Sequence, residues 1–210
     1  MDIGGLVAAA DSANVGGAAP YVIFIAAIFT NNILLSNFLG MCSFLAISNQ
    51  IKASLGLGMA VTFVLTMTST INWLLNHYIL VPLEVEYLRF ITFIIVIAAL
   101  VQFVEIVIER FSPALYFALG IFLPLITVNC AILGVCLFMV IRSYTFAQAI
   151  GYGIGSGLGW TLAIVAIAGI RNKLRFSNVP EPLQGVGITM ILAGLMAFAF
   201  MGFAGMVDIK

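Results

Sequence analysis

The sequence has very little charge for its length. Only 8% of its 210 residues are Asp, Glu, Lys or Arg, whereas an ordinary soluble domain carries roughly 25%. Eight acidic and eight basic side chains cannot cover a globule of this size, so most of the hydrophobic 63% must face lipid. The zero net charge and the lack of any basic run argue against a nucleic-acid partner.

Long stretches without any charge separate the few charged residues. A membrane-spanning helix needs about 20 mostly apolar residues, and five of these stretches reach that length outright. A sixth reaches it if its helix continues through Glu105 to Arg110. The runs lack the alternation of a membrane barrel strand, which favours helices. The sequence therefore predicts an all-α integral membrane protein with six transmembrane helices, near 20–45, 54–78, 87–109, 114–141, 146–169 and 186–206.

The basic residues are distributed unequally between the connections. The connections after helices one, three and five carry Lys52, Arg110, Arg171, Lys173 and Arg175. The opposite side carries Arg89, Arg142 and Lys210. Since basic loops favour the cytoplasm, the odd connections are predicted to be cytoplasmic and both termini periplasmic. Residues 1–19 lack the positive start of a signal peptide and are interpreted as an N-terminal extension.

The chain divides into two halves of three helices each, at 20–110 and 111–206. The first helix of each half contains a helix breaker followed by a cysteine: Gly40 precedes Cys42, and Pro124 precedes Cys130. Three spans per half give the halves opposite orientations. This pattern predicts an inverted repeat whose broken helices meet near the middle of the bilayer.

The chain has three cysteines and one histidine, and it contains no CxxC motif. Cys136 follows no breaker and is interpreted as a small buried apolar residue. Cys42 and Cys130 could form a disulfide or half of a metal site. An iron–sulfur cluster takes four cysteine ligands, so a second chain would have to supply the other two. His77 is interpreted as a residue at the membrane edge.

Polar residues inside predicted membrane helices are candidates for function because their burial in lipid is costly. Gln102, Glu105 and Glu109 share one face of the third helix and could line an ion or proton path. The alternative is a contact with Arg110 or with another protein of a complex. Five glycines at alternate positions of 151–159 follow no strand, so they favour close helix packing over a nucleotide-binding loop.

Several longer motifs carry a resemblance to a known family. They are FLGMC at 38–42, LGIFLPLITVNC at 119–130, AGIR at 168–171, AGLM at 193–196 and FMG at 200–202. With these motifs the chain resembles the NqrE/RnfA family, from about Asn31 to Gly205. Its members are NqrE, from the Na+-translocating NADH:quinone oxidoreductase, and its paralogue RnfA, from the Rnf ferredoxin:NAD+ oxidoreductase complex. Ser43 and the GSGLGW segment at 155–160 look like NqrE, whereas the compact connection at 81–88 looks like RnfA.

The resemblance implies a cofactor, partners and a role. Cys42 and Cys130 would be ligands of a 2Fe–2S cluster shared within the membrane with the paralogous NqrD-like protein. The complex would also contain NqrA, NqrB, NqrC and NqrF, with FMN, FAD and riboflavin on proteins other than this one. Electrons would pass from the NqrF iron–sulfur domain to the NqrC FMN, coupled to sodium export. The chain would then be a multi-pass component of a bacterial inner-membrane translocase that reduces ubiquinone, without catalysis of its own.

Two other classes of function stay open on the residues alone. One is a small secondary transporter with inverted repeats, whose site would lie at the broken helices and at Glu105 and Glu109. The other is a scaffold in which Cys42 and Cys130 form a disulfide. Neither class needs a second chain to complete the site.

Overall fold

The part of the chain that the structure describes is mostly helical, without strands. The computed structural model describes residues 19–48, 51–111, 126–174, 176–177, 180 and 184–203. Within these residues, the α-helices with both ends described are α1 (Pro20–Ile28), α2 (Met41–Ile47), α3 (Ile51–Leu75), α4 (Arg89–Phe111), α5 (Cys130–Ile141), α6 (Phe146–Leu174) and α7 (Val186–Met201). A π-helical turn, Asn76–Leu80, continues α3, and a short 3-10 helix, Glu86–Leu88, precedes α4.

Among the described residues, three helical stretches are long and apolar enough to cross a membrane. They are Ala53–Leu80, Glu86–Val107 and Phe146–Leu174, and the apolar helices Cys130–Ile141 and Val186–Met201 are shorter. The all-helical prediction is thus confirmed for the described residues. The six spans and the inverted repeat stay predictions, since much of the fourth predicted helix, 112–125, lies outside the described residues.

The prediction of a helix over 20–45 is wrong for the residues between Ile28 and Met41. Helix α1 ends at Ile28, and the chain does not become helical again until Met41. With nine and seven residues, neither α1 nor α2 is long enough to cross an apolar layer of about 30 Å alone. The interruption is therefore much longer than the local break at Gly40 that the sequence indicated.

The side chain of Asn32 explains how the interruption can be buried. Its amide nitrogen donates to the carbonyl oxygen of Ile28 at 3.1 Å and to that of Gly159 at 2.7 Å. Its carbonyl oxygen accepts from the backbone N–H groups of Leu34 and Leu35. Non-helical backbone is tolerated at membrane depth only where protein satisfies its polar groups. Asn32 supplies that satisfaction and joins the interruption to α6.

Helix α6 packs closely against both α1 and α3, and its glycines make this possible. A Cβ at Gly157 would lie 2.7 Å from the Cα of Thr62 in α3, and one at Gly155 would lie 2.7 Å from the carbonyl oxygen of Phe24 in α1. The other glycines of the run meet the same two helices: Gly151 and Gly159 approach α1, and Gly153 approaches α3. The interpretation of these glycines as helix-packing residues is confirmed.

Contacts at the helix ends sort the connections into two groups. At one end, the indole N–H of Trp73 donates to the carbonyl of Tyr144 at 2.8 Å, beside the start of α6. Near the same end, Arg89 donates to the side chain of Asn76 at 3.0 Å. At the other end, Arg171 donates to the hydroxyl of Ser48. The connections after α3 and α5 therefore share one end, and the ends of α2 and α6 share the other, as the predicted layout requires.

Candidate functional site

Cys42 and Cys130 each lie in the first turn of a short helix that follows an interruption. Cys42 is the second residue of α2, and Cys130 is the first residue of α5. Both are free thiols and both are exposed on the isolated chain. The prediction that each cysteine follows a break is confirmed. Pro124, predicted to be the second breaker, lies outside the described residues, and the described part of that break ends at Asn129.

The two interruptions touch each other at Gly40. Its backbone N–H donates to the sulfur of Cys130 at 2.9 Å. Gly40 has a left-handed φ of +83° and caps the start of α2, a conformation that side chains other than glycine rarely adopt. A Cβ there would also lie 2.7 Å from the indole nitrogen of Trp160 and 3.0 Å from the side-chain oxygen of Asn129. Only glycine fits, and its fit brings the two cysteine segments into contact.

Ser43 and Asn129 add three more hydrogen bonds at this point, and one of them joins the two segments. The Ser43 hydroxyl donates to the carbonyl of Gly40 at 3.1 Å and accepts from the Asn129 amide at 3.4 Å. The side-chain oxygen of Asn129 accepts from the backbone N–H of Ala131 at 3.0 Å and so caps α5. Sequence reasoning did not single out either residue as functional. Asparagine is a preferred N-cap, and that signal would have found Asn129 if a helix start had been sought at Cys130.

Apolar groups surround the exposed sulfur of Cys130. The residue borders a cavity of about 320 Å³ between α4 and the break, whose walls include Ile94, Ile97 and Leu133. On the inner side, Trp160 is fully buried, and its indole N–H has no partner among the described residues. The cavity side of Cys130 is therefore largely apolar.

Cys136 and His77 agree with their simpler interpretations. Cys136 is fully buried, and its sulfur accepts a hydrogen bond from the Asn72 amide at 3.2 Å. His77 lies in the turn that ends α3, where its ring stacks on Trp73 at a centroid distance of 5.0 Å. None of these interactions involves Cys42 or Cys130.

Two of the three polar residues of α4 contact each other. The Gln102 amide donates to the Glu105 carboxylate at 3.2 Å, and Glu109 is exposed one turn further on. This contact agrees with a shared helix face. An ion path through Glu105 and Glu109 stays a prediction, because no measured contact tests it.

Metal-binding groups are sparse in the described part of the chain. Within it, no cluster of three or more His, Cys, Asp or Glu side chains could hold a metal ion. Cys42 and Cys130 thus offer two thiol donors, which is half of the usual ligand set of an iron–sulfur cluster.

Comparison with known proteins decides the family. Residues 21–207 match the family described as "Rnf-Nqr subunit, membrane protein". The chain belongs to this family. The resemblance seen in the motifs is thereby confirmed, and so is the coarser prediction of a membrane protein with several apolar helices.

Curated relatives match nearly the whole of the Rnf-Nqr chain. It is 52% identical over 193 residues to the E subunit of the Na(+)-translocating NADH-quinone reductase of Pseudoalteromonas translucida. The proteins of the same name from Aeromonas hydrophila and Serratia proteamaculans are 55% and 54% identical over 189 residues. In each case the match covers 87% of this chain and 96% of the relative.

Proposed function

We propose that the chain is the NqrE component of a Na+-translocating NADH-quinone reductase in a bacterial inner membrane. The observation that carries this proposal is identity above one half to relatives of that name, over nearly their full length. The three relatives all carry the NqrE type of name, which favours NqrE over RnfA. The chain contributes to oxidoreduction as part of the complex and is not catalytic alone.

Within the complex, Cys42 and Cys130 supply two of the thiolate ligands of a 2Fe–2S cluster. Both thiols are free, and both belong to segments that contact each other through Gly40. The Gly40 N–H already points at the Cys130 sulfur, as hydrogen bonds to ligand sulfur do in iron–sulfur proteins. Cys130 also opens a twelve-residue helix, whose N-terminus favours negative charge. The donor set therefore fits half of such a cluster.

The other ligands come from a second protein of the complex. Both cysteines are exposed on the isolated chain, which leaves them accessible to a neighbouring protein. We infer that this neighbour is the NqrD-like paralogue, with two cysteines of its own. The remaining components of the complex, NqrA, NqrB, NqrC and NqrF, carry FMN, FAD and riboflavin.

The chain's own residues hold the site and keep it dry. The shared cluster supplies one-electron transfer across the membrane, from the NqrF iron–sulfur domain to the NqrC FMN, coupled to sodium export. Ile94 and Ile97 line the cavity beside Cys130 and limit the access of water. In such a medium of low dielectric constant, fixed dipoles such as the Gly40 N–H have a large effect on a charged group.

The architecture that accompanies this function is a six-helix inverted repeat. The halves are 20–110 and 111–206, after an N-terminal extension at 1–19, and both termini are periplasmic. Two observations support it. Each half has a cysteine in the first turn after an interruption, and the connections sort into two groups at opposite helix ends.

The ligand assignment is tested by purifying the complex with Cys42→Ala or Cys130→Ala. Each variant is expected to lose the iron of one cluster and its electron paramagnetic resonance (EPR) signal. NADH should still reduce the flavin at the entry of the electron path, but quinone reduction should stop. Cys136→Ser is the matched control, because serine keeps a partner for Asn72 and should leave the iron content unchanged. Full iron content in the Cys42 and Cys130 variants would sink the assignment.

A further inference from the structure

Four hydrogen bonds form a closed circuit around the two interruptions. The Gly40 N–H donates to the Cys130 sulfur, and the Gly40 carbonyl accepts from the Ser43 hydroxyl. Ser43 accepts from the Asn129 amide, and the Asn129 oxygen accepts from the Ala131 N–H, one residue beyond Cys130. We call these five residues the cysteine circuit. It joins the start of α2 to the start of α5.

The other four residues of the cysteine circuit are buried even though Cys130 is exposed. Ser43 is fully buried, and Asn129 is only 2% exposed. A hydrogen bond in such surroundings is strengthened by the low dielectric constant, and an unpaired polar group there is costly. The Ser43 hydroxyl both donates and accepts, so it joins the Gly40 carbonyl to the Asn129 amide. The circuit should therefore hold a single geometry.

We propose that Ser43 and Asn129 are positioning residues that keep the Gly40 N–H on the Cys130 sulfur and fix that sulfur relative to Cys42. This proposal rests on the proposed function, because it concerns the two sulfurs as cluster ligands. Ser43 follows Cys42 directly and Asn129 precedes Cys130 directly. The hydrogen bond between their side chains therefore links the backbone beside one ligand to the backbone beside the other.

The chemical consequence falls on the reduction potential of the cluster. An N–H donor to a ligand sulfur stabilises negative charge, and such bonds are among the factors that set cluster potentials. The Ser43 hydroxyl and the Phe44 N–H both donate to the Gly40 carbonyl, which restrains the peptide group that follows Gly40. Without Ser43, the Gly40 carbonyl keeps only the bond from the Phe44 N–H. Without the Asn129 amide, the side-chain link between Asn129 and Ser43 is lost. In both cases the Gly40 N–H is held less firmly on the sulfur. The reduced cluster is then less stabilised, and its midpoint potential falls.

Two variants open the cysteine circuit at different bonds. Ser43→Ala removes the hydroxyl. Asn129→Ser keeps a capping oxygen for α5, since serine caps helices about as well as asparagine, and it removes only the amide that reaches Ser43. Thr189→Val is the matched control. Thr189 is also fully buried, and its hydroxyl donates to the Gly185 carbonyl at 2.8 Å at the start of α7.

The midpoint potential of the cluster in the intact complex, measured by redox titration with EPR detection, tests the proposal. Both variants are expected to retain iron and to shift the potential to more negative values. The double variant should shift it no further than the larger single shift, because both changes open the same circuit. Thr189→Val should titrate like the wild type. Should Ser43→Ala prevent assembly, Asn129→Ser alone provides the test.

The outcomes separate this proposal from the ligand assignment. Wild-type potentials in both variants, or additive shifts in the double variant, would overturn the positioning role while Cys42 and Cys130 remained ligands. Full iron in Cys42→Ala and Cys130→Ala would instead overturn the ligand assignment and this proposal with it.

Discussion

Gly40 combines three requirements in one residue. Its φ of +83° excludes most side chains, Trp160 and Asn129 leave no room for a Cβ, and its N–H binds the Cys130 sulfur. The first requirement is conformational and the second is steric, so they can be separated by comparison with another glycine. Gly185 has a φ of +88°, and a Cβ built on it would meet nothing within 4 Å.

Gly40→Ala should cost iron as well as stability, whereas Gly185→Ala should cost stability alone. Both variants place alanine at a positive φ, which costs about 1–3 kcal/mol. Only Gly40→Ala adds a clash with Trp160 and moves the N–H away from Cys130. Thermal unfolding of the detergent-solubilised chain should show a loss for both variants, and the iron content of the complex should fall for Gly40→Ala alone. Full iron content in Gly40→Ala would show that crowding at Gly40 is unimportant for the site.

Asn32→Leu is expected to destabilise the chain strongly. Leucine has a similar size but cannot pair with the Gly159 carbonyl or with the N–H groups of Leu34 and Leu35. Each buried polar group left unpaired costs about 1–3 kcal/mol. Asn37→Leu, at an exposed position of the same interruption, is the control. Thermal unfolding in detergent should show a large loss for the first variant, and similar losses for both would contradict the role of Asn32.

The helices themselves were largely predictable, and so was a break at Gly40, but the length of the interruption between α1 and α2 was not. The apolar runs predicted helices α3, α4, α6 and α7. Most of the ends of these helices lie within a few residues of the predicted positions. The run at 20–45 is equally apolar, and its break depends on a hydrogen bond from Asn32 to Gly159 in a distant helix. Cys42 and Cys130 were recognised as site residues because breakers precede them. Ser43 and Asn129 were not, since their partners are visible only in three dimensions.

Helix α6 should not tolerate even a methyl group at Gly157. A Cβ there lies 2.7 Å from the backbone of Thr62, so Gly157→Ala should push α3 and α6 apart. Gly169→Ala, in the same helix, meets nothing within 4 Å and should gain slightly from the better helix propensity of alanine. Unfolding temperatures of the two variants should move in opposite directions. A neutral Gly157→Ala would show that the two helices can separate without cost.

On the scale of the whole molecule, contacts at the helix ends define two faces. Trp73 with Tyr144 and Asn76 with Arg89 mark one face, and Ser48 with Arg171 marks the other. These contacts lie within the chain, so they define the two faces without reference to a membrane. The unequal distribution of Lys and Arg then predicts which face is cytoplasmic, namely the one with Ser48 and Arg171.

Cysteine labelling of intact cells should reveal this orientation. Tyr87 is 79% exposed near the first face, and Phe176 is 93% exposed just beyond α6 on the second. A membrane-impermeant maleimide should modify Tyr87→Cys in intact cells, and Phe176→Cys only after permeabilisation. The parent chain, which has Cys42, Cys130 and Cys136, provides the background. The reverse pattern would place the termini in the cytoplasm.

The glycines of α6 also have a genetic consequence. Every single-nucleotide missense change in a glycine codon adds at least one side-chain atom, because no amino acid is smaller. At Gly155, Gly157 and Gly159 that atom would lie within 3.0 Å of a neighbouring helix backbone. Only synonymous changes in these codons therefore leave the packing of the helix pairs unchanged. Neutral sequence drift in this short stretch is confined to the third base of each codon.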